Sequence, residues 1–101
     1  FVSPTETVGT ALELMNSHSV TQIPVLEDNK SVGSLRESHV LAKLLANRDL
    51  MNALVSEVME ESFPVVDADT GLEKIKRRLQ KSPAVLVEDF KRITGIITRS
   101  D

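Results

Sequence analysis

Cysteine is absent from the chain, and disulfides, zinc–thiolate sites and thiol catalysis are excluded with it. Tryptophan and tyrosine are absent too, and three phenylalanines make up the whole aromatic content, 3% of 101 residues. The core must therefore be built from Val, Ile, Leu, Ala and Met. Histidine occurs only as His18 and His39, too few and too poorly matched with carboxylates for a metal site. No apolar run approaches the roughly 20 residues that span a bilayer, and no signal peptide is recognisable, so no membrane partner is expected. An excess of positive charge is also missing. Twelve Lys+Arg against 15 Asp+Glu give a formal net charge of −3, which offers no electrostatic footprint for nucleic acid. Neither a P-loop nor an activated Ser/His/Asp arrangement is present, so no catalytic residues are expected. These absences fit a cytoplasmic protein. The start at Phe1 and the stop inside a motif at Asp101 suggest a fragment.

What the chain does contain is ordinary for a globular domain, 41% hydrophobic and 27% charged residues. Phe1 to Pro4 reads as a strand end closed by proline. Thr7 is a candidate N-cap for a helix that carries Val8, Ala11, Leu12 and Met15 on one face. Val20 to Leu26 reads as a strand whose Pro24 implies an edge or a strand start. A turn at Glu27 to Lys30 leads to a second short strand, Ser31 to Leu35. The pairs Val40/Leu41 and Leu44/Leu45 mark another amphipathic helix over 38–46, and Asn47 to Asn52 is a polar connection.

The order then begins again. Val55 to Met59 leads into a strand over Phe63 to Val66, and Asp69-Thr70 is expected to cap a helix with Leu72, Ile75 and Leu79 inward and Lys74, Lys76, Arg77 and Arg78 outward. Ala84 to Val87 and Ile93 to Ile97 are strands around a turn at 88–92. Ile23-Pro24-Val25-Leu26-Glu27-Asp28 lies over Ala84-Val85-Leu86-Val87-Glu88-Asp89, and Gly33 to His39 lies over Gly95 to Asp101. The expected fold is α/β, of the α+β kind: two pseudo-symmetric β-α-β-β-α repeats at residues 1–50 and 51–101, the second without its last helix. Copies of about 50 residues are too short for independent cores, so the two are expected to pack as one module.

The closing stretch, Gly95-Ile96-Ile97-Thr98-Arg99-Ser100-Asp101, organises this pattern. A buried strand passes into a cluster of N-cap residues. Two readings stand side by side. One is a capped helix without a ligand. The other is a site in which outward N–H groups and the hydroxyls of Thr98 and Ser100 meet an anion or sugar while Asp101 accepts both hydrogens of a ribose cis-diol.

Thr7-Val8, Gln22-Ile23-Pro24-Val25, Val55-Ser56-Glu57-Val58-Met59 and the closing Gly95 to Asp101, in that order, resemble a tandem of cystathionine β-synthase (CBS) domains, also called a Bateman module. The phrases Pro83 to Asp89 and Gly95 to Asp101 look most like the C-terminal regulatory module of bacterial cystathionine β-synthase-like enzymes. That resemblance implies a regulatory unit that binds AMP, ADP, ATP or S-adenosylmethionine between its repeats. It further implies a homodimer formed through the CBS helices, here carrying Val8, Leu12, Met15, Leu41, Leu44 and Leu45, and a pyridoxal-phosphate-dependent catalytic domain upstream. Carried over residue by residue, Asp101 binds ribose, Thr98 and Ser100 meet phosphate or sugar, and Val20, Thr21 and Ile23 line the adenine slot with Ile97 beneath. The rival reading is a ligand-free dimerisation module.

The pseudo-symmetric second site departs from the family pattern. Arg36 and His39 stand where Thr98 and Asp101 stand in the other copy, and of the hydroxyls only Ser38 survives. The facing wall around Ser82 is also shortened. Imidazole cannot chelate a cis-diol as a carboxylate does, so this site is expected to be weak, altered or empty. Glu57, Glu60 and Glu61 read as a solvated acidic turn, while Arg99 and Lys91-Arg92 are placed to help with an anion.

Overall fold

The computed structural model describes residues 1–99; Ser100 and Asp101, both expected ligand residues, lie outside the described residues. Helices and strands are mixed in an α+β fold. Backbone proximity divides the chain into two compact units, one of Phe1–Glu27 with Ser31–Ser62, the other of Asp28–Lys30 with the residues from Phe63 onward.

In the first unit, helix α1 (Val8–Ser17) starts where the Thr7 hydroxyl accepts the Thr10 N–H at 3.2 Å, as the N-cap preference of threonine predicts. Its periodic face buries Val8, Ala11 and Met15. Strands β1 (Gln22–Glu27) and β2 (Lys30–Arg36) form a two-stranded sheet, and Val2 adds a single parallel bridge to Val25. Pro24 gives only its carbonyl to that bridge, accepting the Val2 N–H at 3.2 Å. Its missing N–H therefore costs no ladder bond. Helix α2 (Glu37–Ala46) and helix α3 (Val55–Val58) flank a 3₁₀ turn at Arg48–Asn52, where the sequence suggests only a polar connection. The core gathers Met15, Ile23, Val25, Leu35, Val40 and Val55 with their neighbours.

The residues after α3 are laced onto β2. Ser34 and Glu60 exchange backbone hydrogen bonds at 3.0 and 2.8 Å, and the Ser34 hydroxyl donates to the Glu61 carbonyl at 2.6 Å. Gly33 permits this approach, because a Cβ there would lie 2.5 Å from Met59 Sδ and 3.0 Å from the Glu60 carbonyl oxygen. The sulfur can swing aside; the backbone carbonyl cannot. Gly33→Ala is expected to destabilise the protein by about 1–3 kcal/mol. Gly95→Ala, at the matching position of the second repeat, meets nothing within 4 Å and should be neutral. Urea denaturation of the two variants tests the contrast.

In the second unit, β3 (Val65–Asp67) pairs parallel with β4 (Ala84–Asp89), and helix α4 (Leu72–Lys81) connects them. β5 (Arg92–Thr98) pairs antiparallel with β4, giving the order β3-β4-β5. Phe63, Ala84 and Leu86 are buried together, with Ile93 packed against them. The cap of α4 is not Asp69-Thr70. The Thr70 N–H is spent on the Asp67 carbonyl in a turn at 3.0 Å, and Gly71 becomes the N-cap with no side-chain bond. Leu72, expected to face inward, is consequently 65% exposed at the first helical position.

Both hairpins turn on two residues with positive φ, Asp28 (53°) and Asn29 (65°) in one, Phe90 (50°) and Lys91 (63°) in the other. The pattern is that of a type I′ turn. Asp and Asn adopt it readily, whereas Phe90 and Lys91 carry the steric cost of a left-handed backbone.

Candidate functional site

In the second unit, β5 carries the closing motif as far as Thr98. Thr98 stands opposite Ala84, Ile97 opposite Val85 and Ile96 opposite Leu86. A bulge leaves Thr94 as the extra residue, since Val87 pairs with Gly95 and Glu88 with Ile93. Thr98 and Ile97 are both half-buried at the strand's end. Arg99 follows at the end of the strand. Its Nε donates to the Leu79 carbonyl at 2.7 Å, satisfying one of the unpaired carbonyls in the last turn of α4, so this guanidinium nitrogen is already engaged. Ser82, expected in the second site, is the C-cap residue of α4 and donates its N–H to the Arg78 carbonyl at 3.0 Å.

In the first unit, the stretch expected to face adenine becomes more buried along its length. Val20 is 41% exposed and Thr21 is exposed, while Ile23 is 4% exposed within the core. Ile23 thus has only its backbone to offer a ligand. Thr21 accepts the Glu37 N–H at 2.9 Å, which joins the entry of β1 to the first turn of α2.

At that first turn the structure supplies a partner the sequence reading missed. Arg36 grips Glu60 with two hydrogen bonds, Nε to Oε1 at 2.9 Å and Nη2 to Oε2 at 2.7 Å. His39 Nδ1 lies 3.9 Å from the same carboxylate, and Ser38 between them is exposed. Glu60 is therefore not a free solvated acid. Its neighbour Glu57 is engaged as well, accepting the Leu54 N–H at 2.8 Å. The hydrogen bond from Arg36 holds the Glu60 carboxyl below its usual range. Partial burial opposes this less strongly, and the charges of His39, Arg36 and Lys43 add to the lowering. The same hydrogen bond raises the Arg36 guanidinium further. Bridging 24 residues of sequence, the pair leaves no local signature; only the lacing of Glu60 onto Ser34 brings the two together. An exposed pair of this kind stabilises by under about 1 kcal/mol. Because the Glu60 pKa is lowered in the folded state, that contribution is complete above the unfolded carboxylate pKa. It is lost as pH falls through the lowered value.

A surface pocket of about 440 Å³ lies in the second unit, lined by Asp67, Ala68, Asp69, Glu88, Asp89, Phe90 and Lys91. Four carboxylates disfavour a phosphorylated ligand there. Among the described residues, no group of three or more His, Cys, Asp or Glu is placed to hold a metal ion. Among them, too, no helix is long and apolar enough to cross a membrane.

The CBS domain family model matches residues 1–46 and 55–101. The chain belongs to the CBS domain family. It carries the domain twice, and a CBS pair is in general a regulatory ligand-binding unit rather than a catalytic one. Among curated proteins it is 32% identical to inosine-5'-monophosphate dehydrogenase of Methanocaldococcus jannaschii, over 99% of this chain and 20% of that protein. It is 24% identical to cystathionine beta-synthase of Dictyostelium discoideum, over 99% of this chain and 21% of that protein. The chain thus spans about a fifth of the length of these two relatives. Among solved structures it is similar to the CBS-pair protein CBSX2 of Arabidopsis thaliana, at 30% identity and a TM-score of 0.82, covering 98% of this chain and 79% of that one.

Proposed function

We propose that this CBS pair senses an adenosine-containing ligand, AMP, ADP, ATP or S-adenosylmethionine, and passes its occupancy to a host protein. The reading is carried by the placement of the Gly95–Thr98 motif. The strand ends at a half-buried threonine, and after Arg99 the sequence brings a second hydroxyl, Ser100, and a carboxylate, Asp101. Thr98 and Ser100 meet phosphate or sugar and Asp101 takes the ribose diol, with Ile97 beneath the base. Ligand binding regulates by population shift, favouring one arrangement of the host over another.

The host we propose is a cytoplasmic, pyridoxal-phosphate-dependent enzyme similar to cystathionine β-synthase, with its catalytic domain upstream. The likeness to the Dictyostelium enzyme supports this choice. Self-association through helices belongs to the same reading. Val8 and Met15 are used in the unit's own core and Leu12 and Leu44 are half-buried, which leaves Leu41 and the 89% exposed Leu45 of α2 for a second copy. That apolar surface also favours the second reading, a dimerisation module without a ligand.

Thermal melts separate the two. A ligand at 100 times its Kd adds about 2.7 kcal/mol of stability, so at least one of the four compounds should raise Tm in a concentration-dependent way. No shift with any of them, alongside a dimer in light scattering, would favour the ligand-free reading.

A further inference from the structure

We propose that Glu60 is the resident anion of the first repeat, filling with its own carboxylate the position a phosphate-bearing ligand would take and so confining anion binding to the second repeat. The inference rests on the reading that the strand-to-helix motif faces the ligand.

Arg36 and His39 occupy the motif positions that Thr98 and Asp101 occupy in the other copy. Arg36 at the N-cap and His39 in the first turn bring two cationic-capable groups to the start of a ten-residue helix, where Glu37 is the one acidic residue of that turn. Here the occupant is part of the chain. Arg36 presents a bidentate fork, and a carboxylate already fills it, with His39 alongside. The delivery is rigid, because the Glu60 backbone is fixed to Ser34 on both sides of the residue and Gly33 lets Met59 and Glu60 come close. A tethered carboxylate competes for the Arg36 fork with any free anion, because it is always at hand. The first repeat would then lack a ligand through occupancy, in addition to the loss of its ribose-binding carboxylate.

Glu60→Ala removes the carboxylate and keeps the backbone bridge, so the fold should survive; Glu60→Gln is the isosteric second variant. The probe is inorganic pyrophosphate, which reads anion binding without base or ribose, measured by calorimetry on wild type, both variants and Glu60→Ala/Arg36→Ala. The expected result is a gain of up to about fivefold in pyrophosphate affinity in Glu60→Ala, a smaller gain in Glu60→Gln, and loss of the gain in the double variant. Equal pyrophosphate binding by wild type and Glu60→Ala, or a gain that survives removal of Arg36, overturns the proposal. Adenosine-ligand binding by the wild-type protein is read separately. If AMP binds wild type and pyrophosphate binding does not rise in Glu60→Ala, the resident-anion inference fails and the ligand-sensing function stands. If no adenosine ligand binds wild type and the Arg36-dependent gain appears, the function fails and the inference stands.

Discussion

Leu86→Ala should lower the stability of the protein by about 2–5 kcal/mol, a change that on this size of domain moves Tm by roughly 10 °C or more. Leu86 is fully buried at the centre of β4, flanked by Val65 on β3 and Ile96 on β5. Its hydrophobic cluster is small, with Phe63 and Ala84 as the other buried members and Ile93 packed against them. So few side chains cannot collapse into the space a leucine leaves, and the residual cavity adds to the lost transfer energy. Against a total stability of about 5–15 kcal/mol, such a loss takes away a large share. Val65→Ala, directly opposite on β3 but 42% exposed, is the control and should cost well under half as much. Guanidinium denaturation measures both. Equal losses at the two positions would show that the small cluster does not hold the second unit together.

Features written in contiguous residues were legible in the sequence. Thr7 caps its helix because an N-cap bond reaches only three residues ahead, and the spacing of Val8, Ala11 and Met15 places the buried face of α1. The tandem order of strands and helices was legible for the same reason, since each repeat restates the other. Failures came where a local preference met a competing bond. Asp69-Thr70 looks like a cap, but the Thr70 N–H is taken by Asp67 and the helix begins one residue later, turning Leu72 to solvent. Phe90-Lys91 has none of the Gly or Asn chemistry that marks a left-handed turn, yet antiparallel pairing of β4 with β5 imposes one. Glu60 and Arg99 could not be read from the chain at all. The partner of each lies 20 or more residues away, and only the folded backbone brings them together.

Asp101→Ala should weaken binding of the adenosine ligand by about tenfold to 150-fold, while His39→Ala leaves it unchanged. The carboxylate is the one group in the closing motif able to take both hydrogens of a ribose diol. Losing a charge-assisted hydrogen bond costs about 1.5–3 kcal/mol, which converts to that range. His39 lies beside Glu60 in the first unit and has no such part. A fall in affinity without a comparable fall in Tm separates a binding role from a structural one. Equal loss from Asp101→Ala and His39→Ala would contradict the assignment of the ligand to the second repeat.

The decisive measurement is a calorimetric titration of the wild-type chain with AMP, ADP, ATP and S-adenosylmethionine in turn, read for affinity and for the number of sites. Binding of at least one of the four, at one site per chain and abolished or strongly weakened by Asp101→Ala, is the expected result. Absence of heat with all four would contradict adenosine sensing, and two equal sites per chain would contradict the asymmetry between the repeats.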